Sequence, residues 1–179
     1  MLNWNPITTE SVTLAQPSWY AIRTRSRHEK KVADEIQAKG IPSFLPLMTR
    51  IHNWSDRRKK VELPLFPGYV FVHTASNPDT RLMVLRTFGV AGFVGSQGYG
   101  TPIPDKQIED IRTIVDNGIG FEPYPFLHIN QRVRIRGGSL DGVEGVLIAK
   151  NTDRSLVVSI ELIQRAVLVR VTGYELEPV

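Results

Sequence analysis

The residues best equipped for acid–base work or metal ligation are four histidines, His28, His52, His73 and His128. They are scattered: none stands in His-Glu-x-x-His spacing or beside a pair of carboxylates, and His52 and His73 read as strand-surface residues. The chain has no cysteine, which excludes a disulfide framework, a thiolate metal site and a cysteine nucleophile. Gly95-Ser96-Gln97-Gly98-Tyr99-Gly100 has a phosphate loop's glycines but not its Gly-Lys-Ser/Thr ending, and no Gly-x-Ser-x-Gly elbow occurs. No catalytic residue, metal site or cofactor is expected. The chain reads as a binding protein, not an enzyme.

Charge is more informative. The net formal charge is +4, but residues 18–60 hold eleven Lys and Arg against four acids. Residues 61–117 hold four against six, and residues 118–179 hold seven of each. So concentrated a positive charge points to an anionic partner, and nucleic acid comes ahead of a merely solvated face.

The aromatics gather elsewhere. Phe66, Tyr69 and Phe71 surround a Pro67-Gly68 turn. Strand alternation would put Tyr69 and Phe71 on one face and Val70 and Val72 on the other. The aromatic face is either a second core face or an outward patch that binds a protein.

Elements must position these groups. Ser18-Trp19-Tyr20-Ala21-Ile22-Arg23 suits a strand. Ser26 is a suitable N-cap and Gly40 a stop for a helix with Val32, Ala33 and Ile36 in one arc and Arg27, Lys30 and Lys31 opposite. Residues 43–72 read as strands, with Asn53-Trp54-Ser55-Asp56 and Arg57-Arg58-Lys59-Lys60 as a basic hairpin tip. Residues 87–95 read as a turn and a short strand. A second helix spans Asp105 to Asn117, with Ile108, Ile111 and Val115 at helical spacing. The order β-α-β-β-β-α, with helices on one face, predicts an α+β sandwich.

The chain has 179 residues, 41% of them hydrophobic and 22% charged, enough apolar content for a core. Residues 1–17 are polar and aperiodic and read as a flexible tail. Residues 18–117 form the α+β domain. The Gly- and Pro-rich stretch 118–129 reads as a linker. Residues 130–179 carry short strand patterns and turn glycines, which predicts a small SH3-like barrel. No stretch approaches the ~20 apolar residues of a membrane span, and the N-terminus lacks a signal-peptide layout. A cytoplasmic, soluble protein is expected.

Several of these motifs occur together in one family. Trp19-Tyr20-Ala21, Glu29-Lys30-Lys31-Val32, Phe66-Pro67-Gly68-Tyr69-Val70, Gly89 to Gly95, and Pro102-Ile103-Pro104 with its helix follow in that order. This resembles the N-terminal domain of the NusG family of transcription elongation factors. Val133 to Leu147 resembles the KOW motif that follows it in that family.

The resemblance implies a domain that binds the clamp helices of the large RNA polymerase subunit, with Arg23, Phe66, Tyr69 and Phe71 as the matching contacts. It implies that Arg25, His28 and Lys31 face non-template DNA, and Arg27 and Lys30 join them from the cationic helix. It implies that Leu162, Ile163 and Arg165 of the KOW domain bind ribosomal protein S10 or Rho. No membrane partner is expected, and the chain is read as a monomer. The tail and the Leu65–Val72 run are similar to operon-specific antiterminators of the RfaH-like or capsule-locus kind. The alternatives are a housekeeping elongation and termination factor, or a ribosome- or RNA-associated KOW protein. The chain departs from the family pattern at Arg23, often aromatic or apolar; at Asn130, usually Gly; and at Ser139-Leu140, often Pro-Phe. The β-branched content of Leu156 to Val171 predicts a stable barrel.

Overall fold

A computed structural model describes residues 16–53, 58–95, 98–118, 121–124, 132–150, 153–171 and 173–179. The polar segment 1–15, the hairpin tip at 54–57 and Asn130 lie outside the described residues. Strand β1 (Ser18–Thr24) leads into helix α1 (Glu29–Ala38), followed by β2 (Ser43–Phe44), β3 (Leu47–Asn53), β4 (Arg58–Pro64) and β5 (Tyr69–Thr74). Helix α2 (Pro78–Leu85), β6 (Val90–Phe93) and α3 (Asp105–Asp116) complete the N-terminal half.

Four strands form an antiparallel sheet in the order β2-β5-β1-β6, and β3 and β4 form a separate hairpin. Alternation along the strands feeds two cores. Tyr20, Ile22, Val70 and Val72 pack with Val32 and Ile36 of α1 and Val84 of α2. Ala21 and Phe71 belong to the other core, with Ile108, Ile111 and Ile114 of α3. Helices therefore cover both faces of the sheet, not the single face expected. The reason lies in β1 and β5, which are apolar at consecutive positions and leave neither face for water.

Helix α2 is absent from the sequence-based element order. Its start signal is sound: the Asn77 side chain accepts from the Thr80 N–H at 2.8 Å, and Pro78 opens the first turn. Only Val84 of the helix is buried, while Leu82, Met83 and Leu85 are exposed, so no helical period of burial shows in the sequence. Helix α1 begins at Glu29 and has no side-chain cap, so Ser26 does not cap it. Instead Ser26 lies in a turn with Arg27 at φ 62° and the His28 N–H on the Arg25 carbonyl.

The C-terminal half is a six-stranded antiparallel sheet ordered β12-β8-β9-β10-β11-β7. Its strands are β7 (Phe121–Tyr124), β8 (Arg132–Arg136), β9 (Glu144–Lys150), β10 (Asp153–Ile160), β11 (Arg165–Arg170) and β12 (Glu175–Pro178). Strand β7 falls within the stretch expected as linker. Proline is tolerated there because β7 is an edge strand among the described residues, pairing with β11, where Pro123 stands opposite Val167. Pro178 of β12 occupies the other edge, opposite Val133. Inside the sheet, Gly145 answers to close packing: a Cβ on it would lie 2.4 Å from the Val157 carbonyl oxygen.

Helix α3 joins the halves. Val133, Ile135, Leu140, Leu156 and Val158 belong to the same continuous core as Ile108, Ile111 and Ile114. Polar ties line this seam: Lys106 Nζ donates to the Gly142 carbonyl at 2.8 Å, and Asn117 Nδ2 to the Ser139 carbonyl at 3.0 Å. The Glu161 N–H donates to Gln107 Oε1 at 3.2 Å.

Candidate functional site

The site is built on the turn between β1 and α1. Arg23 and Tyr69 are cross-strand neighbours at the ends of β1 and β5. The Thr24 N–H donates to the Gly68 carbonyl at 2.9 Å, and the Gly68 N–H donates to Glu29 Oε1 at 2.8 Å. Glu29, 5% exposed, thereby fastens the Pro67-Gly68 turn to the first residue of the cationic helix. The expected site residues do not include this acid. Its signal was a lone carboxylate at a helix start, where the helix dipole favours negative charge, amid the cations from Arg23 to Lys31.

The aromatic group is sorted by burial. Phe66 and Phe71 are core residues, their rings edge to face at 6.1 Å, and Tyr69 is half-buried. The outward patch of Phe66, Tyr69 and Phe71 is thus corrected: Phe71 faces the α3 core, because both faces of β5 are covered. What lies open beside this core is a cavity of about 730 Å³ lined by Met48, Leu65, Phe66 and Pro67, with Arg27, Lys30 and Arg50 among its cations. A smaller cavity of about 320 Å³ is lined by Arg23, Glu29 and Tyr69. Arg165 of β11 lines both, and Ala166 lines the larger.

Three of the four expected polymerase contacts, Arg23, Phe66 and Tyr69, therefore border these neighbouring cavities, and Phe71 does not. Of the expected C-terminal contacts, Arg165 is exposed, Leu162 is half-buried and Ile163 is a core residue. Arg165 lines both cavities, whereas Leu162 lines neither and Ile163 is sealed in the core.

The cationic set divides in two. Arg27 and Lys30 line the larger cavity, and Lys30 Nζ lies 3.4 Å from Glu62 Oε2. Arg25, His28 and Lys31 surround the ring of Phe88 instead: the Arg25 guanidinium is 5.5 Å, the His28 ring 5.6 Å and Lys31 Nζ 5.0 Å from its centroid. Phe88, absent from the expected site, is 55% exposed.

In the described part of the glycine-rich loop, the Gly98 and Tyr99 carbonyls accept from the Arg81 guanidinium. Among the described residues, no group of three or more His, Asp or Glu could hold a metal ion. No described helix is long and apolar enough to cross a membrane.

Two carboxylates at the seam carry shifted pKa values. Burial raises Asp110 above its ordinary 3.8, against the lowering influence of its hydrogen bond from Lys106. Glu144 is held below its ordinary 4.5 chiefly by its hydrogen bonds from Arg134 at 2.6 and 3.0 Å.

An α+β unit with helices on both sheet faces is followed by a small all-β sheet, and the larger cavity is lined from both. The family model for "Transcription termination factor nusG" matches residues 17–112, and the chain belongs to the NusG family. Curated relatives carry the name "Transcription termination/antitermination protein NusG". The protein from Lactococcus lactis is 28% identical over 90% of this chain and 92% of its own length. That from Pseudomonas aeruginosa is 28% identical over 89% and 94%. A solved structure, "Domain interaction in Thermotoga maritima NusG", shares the fold at a TM-score of 0.52 and 23% identity, covering 92% of this chain and 98% of the other.

Proposed function

We propose that this chain is a transcription elongation factor that docks on the clamp of RNA polymerase and suppresses pausing and termination. In this reading residues 18–117 are the polymerase-binding domain and residues 130–179 the KOW domain, and the connecting stretch 118–129 lends β7 to the KOW sheet as an edge strand. The observation that carries it is the apolar cavity over Phe66 and Pro67, set beside the half-buried Tyr69 and the cationic start of α1. An apolar floor with a cationic rim suits an amphipathic helix whose polar side is acidic. Arg25, His28 and Lys31 then hold the displaced DNA strand. Bridging the enzyme and the strand favours closed clamp states by differential binding. The protein supplies no bond-breaking chemistry.

Because Arg165 and Ala166 of β11 line the same cavity, a polymerase helix seated there displaces them. Leu162 and Arg165 then become available to a second partner, for which ribosomal protein S10 and Rho are the candidates.

The test is capture of RNA polymerase by the tagged full chain. Truncating Phe66 would confound binding with stability, because Phe66 is core. Arg23→Glu with Tyr69→Ala acts at the accessible edge and should reduce capture at least tenfold, as loss of an interface anchor does, with an unchanged circular dichroism spectrum. Capture equal to the unsubstituted chain would overturn the assignment. Antitermination on particular operons is the finer part of this reading, and it draws on the N-terminal segment and the Leu65–Val72 run. Occupancy confined to a few transcription units supports it. Occupancy on most units assigns the housekeeping role.

A further inference from the structure

Phe88 is an aromatic side chain held out in water by a backbone that is not free to move. On one side, Thr87 is buried: its Oγ1 accepts from Lys39 Nζ at 2.6 Å and donates to the Met83 carbonyl at 3.2 Å. On the other, the Gly89 carbonyl accepts from the Arg25 N–H at 2.8 Å. Gly89 has φ 97°, and a Cβ there would lie 3.0 Å from His28 Cβ and 3.1 Å from Val32 Cγ2. The residue after Phe88 must therefore be glycine for the chain to pass this close to α1. Both flanks are pinned and the ring is left exposed.

The surroundings say what such a ring would meet. Arg25 and Lys31 stand within cation–π distance, the His28 ring lies alongside, and Arg86 is exposed two residues earlier. Lys31 Nζ lies 3.8 Å from Glu35 Oε1, and the Lys31 side chain remains 60% exposed. Nδ1 of His28 is engaged by the Ser26 carbonyl at 2.9 Å, which fixes the ring. A flat π-face on a pinned backbone, ringed by exposed cations, offers stacking to a base and charge to the phosphates on either side of it.

We propose that Phe88 is a stacking platform for a base of an unpaired DNA strand, with Arg25, Lys31 and Arg86 holding the flanking phosphates. This rests on the reading of the first helix as the nucleic-acid side of the molecule, and adds to it a residue and a mode of recognition. Base pairs in a duplex hide their faces from such a ring. The site selects unpaired strands, with little dependence on sequence.

Fluorescence anisotropy of the full chain with a labelled oligodeoxynucleotide of about ten nucleotides tests this at low and moderate salt. Phe88→Ala and Phe88→Leu should each weaken binding about tenfold, and Phe88→Trp should restore it, since stacking needs an aromatic face rather than apolar bulk. Arg25→Gln or Lys31→Gln should instead lower the salt dependence by about one unit of slope each. Equal binding by the Ala, Leu and Trp variants overturns the platform, as does equal affinity for the matching duplex or failure of the unsubstituted chain to bind at low salt. Tighter binding of the matching oligoribonucleotide also overturns it, in favour of RNA. The assay contains no polymerase, so the two readings can fail separately. Phe88-dependent strand binding by a chain that captures no polymerase leaves this site standing and removes the clamp. Loss of polymerase capture in Phe88→Ala, with strand binding intact, makes Phe88 a protein contact and overturns the proposal.

Discussion

Two aromatic clusters lie on opposite sides of the β1–α1 turn, and they are built on different principles. Around Phe66 and Phe71 the rings are sealed in a core that continues through α3 into the C-terminal sheet. Around Phe88 a ring of the same kind is 55% exposed, and Arg25, Lys31 and the His28 ring stand around it. Residue type alone does not separate the two. What separates them is whether the backbone carries apolar positions on both faces, as β5 does, or is pinned by a buried Thr and a packed Gly that leave one side chain outside. The first arrangement stores stability and the second leaves surface available for binding.

Substitutions can break that contrast. The largest effect on stability is expected at Ile111, fully buried at the centre of the seam. Ile111→Ala should cost about 2–5 kcal/mol in urea unfolding, with probes in both halves reporting the same loss. A loss seen by N-terminal probes alone would mean that the seam does not couple the halves.

An intermediate effect is expected from the seam carboxylates, and the two run in opposite directions with pH. Native Asp110 holds its proton more tightly than the unfolded chain does. Its contribution is therefore present below its ordinary value of 3.8 and is lost as pH rises through the higher folded value. Glu144 is shifted the other way. Its contribution is present above its ordinary value of 4.5 and is lost as pH falls through the lower folded value. In a pH series of unfolding free energies, Asp110→Asn should remove a decline on the higher-pH side, and Glu144→Gln a decline on the acid side. Identical profiles for the two variants would contradict this assignment.

The smallest effect on stability is expected at Lys31, whose contact with Glu35 is an exposed pair on one helix. Lys31→Gln should change stability by less than ~0.5 kcal/mol while reducing the salt dependence of strand binding. A large stability loss there would make the patch structural and erase its difference from the seam.

Much of the framework was legible in sequence because period and burial agree. Strand β1, the buried arc of α1, and Ile108 and Ile111 of α3 follow their apolar spacing, and the turn glycines mark the C-terminal strands. Helix α2 was not legible because three of its apolar residues face water, and β7 because a proline reads as a break unless the strand is known to lie at an edge. The site was half legible. Lysine and arginine spacing marked the α1 cations, but their division between Phe66 and Phe88 depends on β6 pairing with β1. That pairing sets Val90 opposite Thr24 and so returns Phe88 to Arg25, across 63 residues of chain. No local pattern carries such information.

The prolines at the two rims of the C-terminal sheet have a consequence for molecules in a crowd. Strands β7 and β12 are four residues long, and each includes a residue with no N–H to offer. An incoming strand from another copy would find a short template with a gap in its ladder on either side. A sheet rich in Val, Ile and Leu is otherwise a ready seed for intermolecular strand stacking. Pro123 and Pro178 stop that growth at both ends.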